Sequence, residues 1–125
     1  LTLKLVLKPG EPLFIGGAEI RIMSAGNCTV LVEGDAPILR AQYAVDDDEG
    51  DAAATRLQRI LQRMYLGNDV VAHRDAYMAA VTDLLAAHPE HAALVKQTNK
   101  WLAAGDIYKA VRTAHKLSET ASRSH

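Results

Sequence analysis

The spacing of apolar residues changes period once along this 125-residue chain, and that change restricts the fold more than any other feature. Up to residue 40 the apolar residues recur with period two, the mark of strands that bury one face. Leu3, Leu5 and Leu7 alternate with Lys4, Val6 and Lys8, which places the leucines together. Pro9-Gly10 supplies a turn. Leu13-Phe14-Ile15 is a short apolar run closed by Gly16-Gly17, a pair able to take the positive φ of a tight hairpin. Ile20 and Ile22 flank Arg21, and Val30 and Val32 flank Leu31. Ile38-Leu39-Arg40, just after Pro37, reads as a short edge strand. Four or five short strands at this spacing predict a small antiparallel β-sheet or partial barrel over residues 1–45.

Residues 46–51 hold Asp46, Asp47, Asp48, Glu49 and Asp51 with no base, so they read as a solvated acidic linker. Asp51 is placed to cap the next element. Beyond it the period becomes helical. Leu57, Ile60, Leu61 and Met64 share one stripe, and Gly67-Asn68 is a stop signal. A second helix follows Asp69, and a third carries Pro89 in its first turn. Gly105-Asp106 ends that helix and starts a fourth, with Ile107, Val111, Ala114 and Leu117 on its apolar side. The short connections predict antiparallel neighbours. The expected class is α+β: an N-terminal sheet or partial barrel, the linker, then a bundle of about four helices over residues 52–125.

Composition removes several function classes. Cys28 is the only cysteine, which excludes an internal disulfide or a thiolate zinc site. No run nears the roughly 18 apolar residues of a membrane span. The start, Leu1-Thr2-Leu3-Lys4, lacks the features of a signal peptide, so the cytoplasm is the expected compartment. His88-Pro89-Glu90-His91 offers two imidazoles at i,i+3, yet spacing alone supplies no further ligand and Pro89 puts His88 at a cap. The pattern therefore reads as a polar helix start. His73 and His115 have no sequence-adjacent carboxylate or nucleophile, and Cys28 in a strand reads as a packed small side chain. Gly16-Gly17 is not a phosphate loop, and the acidic run lacks the spacing of a calcium loop. Neither an enzyme, nor a metal, nor a cofactor is expected.

The net charge of -1 conceals patches. Residues 1–40 sum to zero, 41–54 to -5, 55–66 to +3, 67–91 to -3 and 92–125 to +4. Nucleic acid therefore stays open, since phosphate binding needs local charge rather than total charge. Of the aromatic residues Phe14, Tyr43, Tyr65, Tyr77, Trp101 and Tyr108, only Phe14 falls in the strands, which disfavours base stacking on a sheet. A strand-edge mode would use Lys4, Lys8 and Arg40 as RNA contacts. The alternative is that these bases solvate the outer sheet face. Open strand edges also make a homodimer an expectation.

The residues then resemble a known family. Leu3-Lys4-Leu5, Leu7-Lys8-Pro9-Gly10-Glu11 and Gly17-Ala18-Glu19-Ile20 resemble the start of the FlbT family. So do Ala36-Pro37-Ile38-Leu39-Arg40 and the arginine-bearing helix that ends Met64-Tyr65-Leu66. The resemblance implies a non-enzymatic regulator of flagellum biogenesis. It would bind the 5′ untranslated region of flagellin mRNA and lower translation or promote decay, opposite a small partner, FlaF. Lys8-Pro9-Gly10-Glu11, Phe14-Ile15-Gly16 and Ala36-Pro37 before Arg40 are also similar to the CsrA family of mRNA-binding repressors. That likeness implies Arg40 and Lys8, with Lys4, as the RNA-contacting positions. The stretch from Ala36 to Arg40 is shorter here. Arg56, Arg59 and Arg63 have no counterpart there and are assigned to a protein partner. An alternative function is an adaptor for FlaF or flagellin, with a helix over 106–121 seating a partner helix. Its apolar stripe could equally pack on its neighbours. No membrane contact is expected, because the helices mix acidic and basic residues.

Overall fold

The computed structural model describes residues 2–45 and 52–123, with residues 119–123 as backbone only. The acidic run at 46–51 lies outside the described residues. Five strands come first: β1 (Thr2–Leu7), β2 (Pro12–Ile15), β3 (Ala18–Arg21), β4 (Cys28–Glu33) and β5 (Ile38–Arg40). A 3₁₀ turn at Ala41–Tyr43 leads out of β5. The helices are α1 (Ala53–Gly67), α2 (Arg74–Ala87), α3 (Ala92–Ala103) and α4 (Ile107–Arg123). Single 3₁₀ turns at Val71–His73 and Pro89–His91 precede α2 and α3. The class is α+β, as the two periods require.

The strands form two sheets rather than one. β1 pairs with β4 antiparallel, from Thr2 opposite Glu33 to Leu7 opposite Cys28. The second sheet has the order β3-β2-β5, with β2 antiparallel to both neighbours. The reason lies in β2, which carries large apolar side chains on both faces. Leu13 is fully buried against Leu5 and Leu7 of the β1–β4 layer, with Ile15 and Ile38 at its rim. Phe14 and the fully buried Leu39 point the other way, into the helical core. A sheet apolar on both faces needs cover on both sides. The β1–β4 pair covers one and the helices the other, which gives three layers. On β1 and β4 the inner residues alternate with an outer face of Lys4, Val6, Thr29 and Leu31.

In the helical layer α1 packs on α2 and α4, and α3 packs on α4. The expected stripe of α1 is its buried face, through Leu57, Leu61 and Met64. Gln58 is buried as well: it donates to the Ala54 carbonyl (3.3 Å) and accepts from the Ser118 hydroxyl (3.0 Å). The helix ends follow the expected stop and start signals where they are described. Ala52 is the N-cap residue of α1 and supplies no side-chain bond, and Asp51, the expected cap, lies outside the described residues. At the other end Asn68 takes the left-handed conformation (φ 50°), a role its short side chain tolerates, while Gly67 stays helical. Asp106 behaves as expected, since its Oδ1 accepts the Lys109 N–H at 3.1 Å.

Tyr65 joins the layers. Its hydroxyl donates to the Ile38 carbonyl (2.9 Å) and accepts the Ile38 N–H (3.1 Å), so the outer backbone groups at the start of β5 are satisfied by α1. Tyr65→Phe is expected to cost about 1–3 kcal/mol in urea unfolding, because both backbone groups lose a partner. An unchanged midpoint would mean that water serves the strand equally well.

Tyr77 is buried between α2 and α3, where its hydroxyl donates to Asn99 Oδ1. Burial pushes its pKa up from 10.0 to about 12. Above pH 10 an unfolded tyrosine has begun to lose a proton that the folded chain retains. Stability is therefore expected to fall as pH rises between about 10 and 12. Urea midpoints measured across that window check the sign, and Tyr77→Phe should make the decline shallower.

Candidate nucleic-acid interface

The three strand-borne bases do not share one surface. Lys4 projects from the outer face of the β1–β4 layer, opposite Leu31. Lys8 is exposed just beyond β1, in a turn where its N–H donates to Glu11 Oε2 at 3.1 Å. Arg40 instead ends β5 in the middle sheet, opposite Leu13. Glu19 holds the neighbouring Arg21 at 3.0 Å. The bases of this half are thus spread over two layers and mixed with acids.

The α1 arginines also divide. Arg56 Nη1 reaches Asp83 Oδ2 at 3.2 Å and ties α1 to α2. Arg59 is half-buried. Arg63 is exposed and borders a 390 Å³ cleft with Phe14, Glu19, Leu66 and His73. At least one of the three residues assigned to a partner is therefore already engaged within the chain.

A denser basic surface lies between α3 and α4. Lys109, Arg112 and Lys116 follow the spacing i, i+3, i+7 and occupy one face of α4, because Ala110, Val111, Ala114 and Leu117 are drawn into the core. The stripe of Ile107, Val111, Ala114 and Leu117 accordingly packs on the chain's own helices. With Gln97, Trp101, Tyr108 and Thr113 the three bases line a cleft of 390 Å³. Among the described residues no carboxylate lines it, and Asp106 pairs with Lys109 at 3.7 Å at its end.

Aromatic rings sit among these charges. Lys109 Nζ lies 4.6 Å from the centre of the Trp101 ring. The Arg112 guanidinium lies 4.0 Å over Tyr43 and 5.9 Å from Tyr108, and donates to the Tyr108 hydroxyl at 3.4 Å. That hydrogen bond raises the Arg112 pKa, so the charge persists at any working pH. His115 meets the Tyr43 ring edge-on at 5.7 Å. Tyr43 ends the 3₁₀ turn that begins directly after Arg40. Arg40 is therefore one tight turn from the ring that carries Arg112, whereas Lys4 and Lys8 belong to the outer layer.

Sequence reading did not single out this groove. Its traces were the +4 charge of residues 92–125 and the spacing of Lys109, Arg112 and Lys116. Neither trace could join Trp101 of α3 or Tyr43, nearly seventy residues upstream of Arg112, to the stripe; that took the packing of α3 and of the 3₁₀ turn against α4. Among the described residues the nucleophile candidates stay apart. Cys28 Sγ lies 3.6 Å from Ser24 Oγ, and His73 and His115 sit in different surroundings, beside Arg63 and Tyr43.

What these features define is a small α+β protein with a basic, aromatic groove on its helical layer. Comparison with known proteins places it further. The family described as "Flagellar protein FlbT" matches residues 3–123, and the chain belongs to that family. Two strains of Rhodopseudomonas palustris carry a "Probable flagellum biosynthesis repressor protein FlbT". Each is 32% identical over 117 residues, covering 94% of this chain and 92% of the relative. A Bradyrhizobium diazoefficiens protein, "Probable flagellum biosynthesis repressor protein FlbT 1", is 27% identical over 118 residues, covering 94% of this chain and 80% of its own length. No solved structure matches. No helix among the described residues is long and apolar enough to cross a membrane.

Proposed function

We propose that the chain regulates flagellum synthesis by binding the 5′ untranslated region of flagellin mRNA, where it lowers translation or promotes decay. The family and its named repressors support the flagellar role. The observation that carries the RNA reading is the groove, where Lys109, Arg112 and Lys116 are interleaved with Trp101 and Tyr108. Single-stranded RNA is bound by this combination: cations follow the phosphates, and bases stack on aromatic rings or on guanidinium planes.

In this reading Lys109 and Lys116 pair with successive phosphates, and the outward face of Arg112 receives a base. Arg40 extends the track beyond Tyr43. Lys4 and Lys8 form a separate contact on the outer layer and act on a longer leader. Occupancy covers the message where a ribosome would load. The protein does this by binding, with no chemical step.

Fluorescence anisotropy with a labelled flagellin leader, across a salt series, tests the proposal. The triple variant Lys109→Ala, Arg112→Ala, Lys116→Ala is expected to weaken binding and to reduce the log–log salt slope by about 1.4, near 0.7 for each of the two lost phosphate contacts. Lys8→Ala with Arg40→Ala is expected to reduce it by about 1.4 on the same scale. Trp101, the only tryptophan, gives a second readout, because a base stacked in the groove should quench its emission. Full affinity in the triple variant would remove the groove from the mechanism. An RNase-treated protein that captures a FlaF-like partner or flagellin, yet has no RNA affinity of its own, would favour the adaptor.

A further inference from the structure

We propose that His88, Glu90 and His91 form a binding site for one divalent transition ion of the zinc, nickel and copper class. The sequence offered two imidazoles and left the third donor open. The fold supplies it. Glu90 Oε1 lies 3.2 Å from His88 Nδ1, and one ligand atom from each of the three residues falls within 4.8 Å of the others.

The backbone holds this arrangement from both sides. α2 ends at Ala87, and the His88 N–H donates to the Leu84 carbonyl at 2.7 Å. His88 then leaves the helix (φ -139°, ψ 75°), and Pro89 opens a 3₁₀ turn that the His91 N–H closes on the His88 carbonyl at 3.1 Å. Proline fixes its own φ, one of the backbone dihedrals between the donors. The three side chains thus project from one short turn. The imidazole centres are 5.6 Å apart and tilted by 51°, so the rings are not stacked face to face.

The spacing of His88 and Glu90 suits a metal. Bonds of about 2.0–2.2 Å, at angles from octahedral to tetrahedral, place two donors about 2.8–3.6 Å apart. The His88–Glu90 separation of 3.2 Å falls inside that range. Two nitrogens and a carboxylate favour borderline ions over calcium or magnesium, which prefer all-oxygen shells. His88 and Glu90 are exposed and His91 half-buried, so water can complete the coordination. The last carbonyls of α2 carry partial negative charge towards the same turn and favour a cation there. Without an ion His88 Nδ1 and Glu90 Oε1 form an exposed side-chain contact, which holds them weakly enough to be displaced. About 15 Å of helix, from His91 to Trp101, separates the site from the basic groove, so the two can be tested independently.

Calorimetric titration of the full chain, free of any polyhistidine tag, tests the proposal with zinc and nickel ions. One ion per chain is expected. His88→Ala, Glu90→Gln and His91→Ala should each weaken binding by at least about tenfold. Saturating zinc should raise the melting temperature of the wild type and leave the His88→Ala, His91→Ala double variant unmoved. Cobalt, which reports its coordination by visible absorption, should show the imidazole-dependent band only with both histidines present. Undiminished binding by the double variant, no binding at millimolar ion, or equal affinity for magnesium would each overturn it.

Discussion

The fold depends on a sheet that is apolar on both faces. Leu13 and Phe14 are neighbours on one strand, and the alternation of side chains sends them in opposite directions. Each requires a separate cover. The inward-facing Leu5 and Leu7 of β1 meet Leu13, and the helices meet Phe14 and Leu39. A one-residue slip of β2 would exchange these sets and put Phe14 into a small core shaped for Leu13. The register of one short strand therefore sets the position of the helices relative to the sheet.

The strands were legible because their alternation is strict. Leu5, Leu7 and Val30 face inward as the period demands. Their division into two sheets was not, since period two says which residues share a face and nothing of what covers it. Helix boundaries followed from Asn68, Pro89 and Asp106. The first turns of the second and third helical segments are 3₁₀, a distinction that the spacing of Val70, Tyr77 and Val81 does not encode. Gln58 shows another limit: its side chain is buried because Ser118, sixty residues away, gives it a partner.

The candidate site was legible in part for a similar reason. Sequence reading searched the strands for bases and found Lys4, Lys8 and Arg40, which are present but dispersed over two layers. The concentrated surface is tertiary. Tyr43 leaves the sheet and meets α4, and Arg112 rests on its ring. Charge patterning pointed to residues 92–125, and packing alone says that Trp101 shares the surface with them. A nearly neutral protein thus gathers three of its bases along one groove, with Asp106 paired to Lys109 beside them.

The three layers also differ in depth. Between the outer and middle sheets the buried residues are Leu5, Leu7 and Leu13, whereas the helical core draws on β5, all four helices and both faces of the α1–α4 contact. Local opening follows the amount of apolar surface that each element releases. The β1–β4 ribbon is thus the part of the molecule that detaches at least cost, while Leu39 and Tyr65 keep the middle sheet on the helices. Amide protons of that ribbon would exchange with solvent earlier than those of α1 and α4. The protein then has a loose outer leaf and a firm inner body, and the basic groove belongs to the firm one.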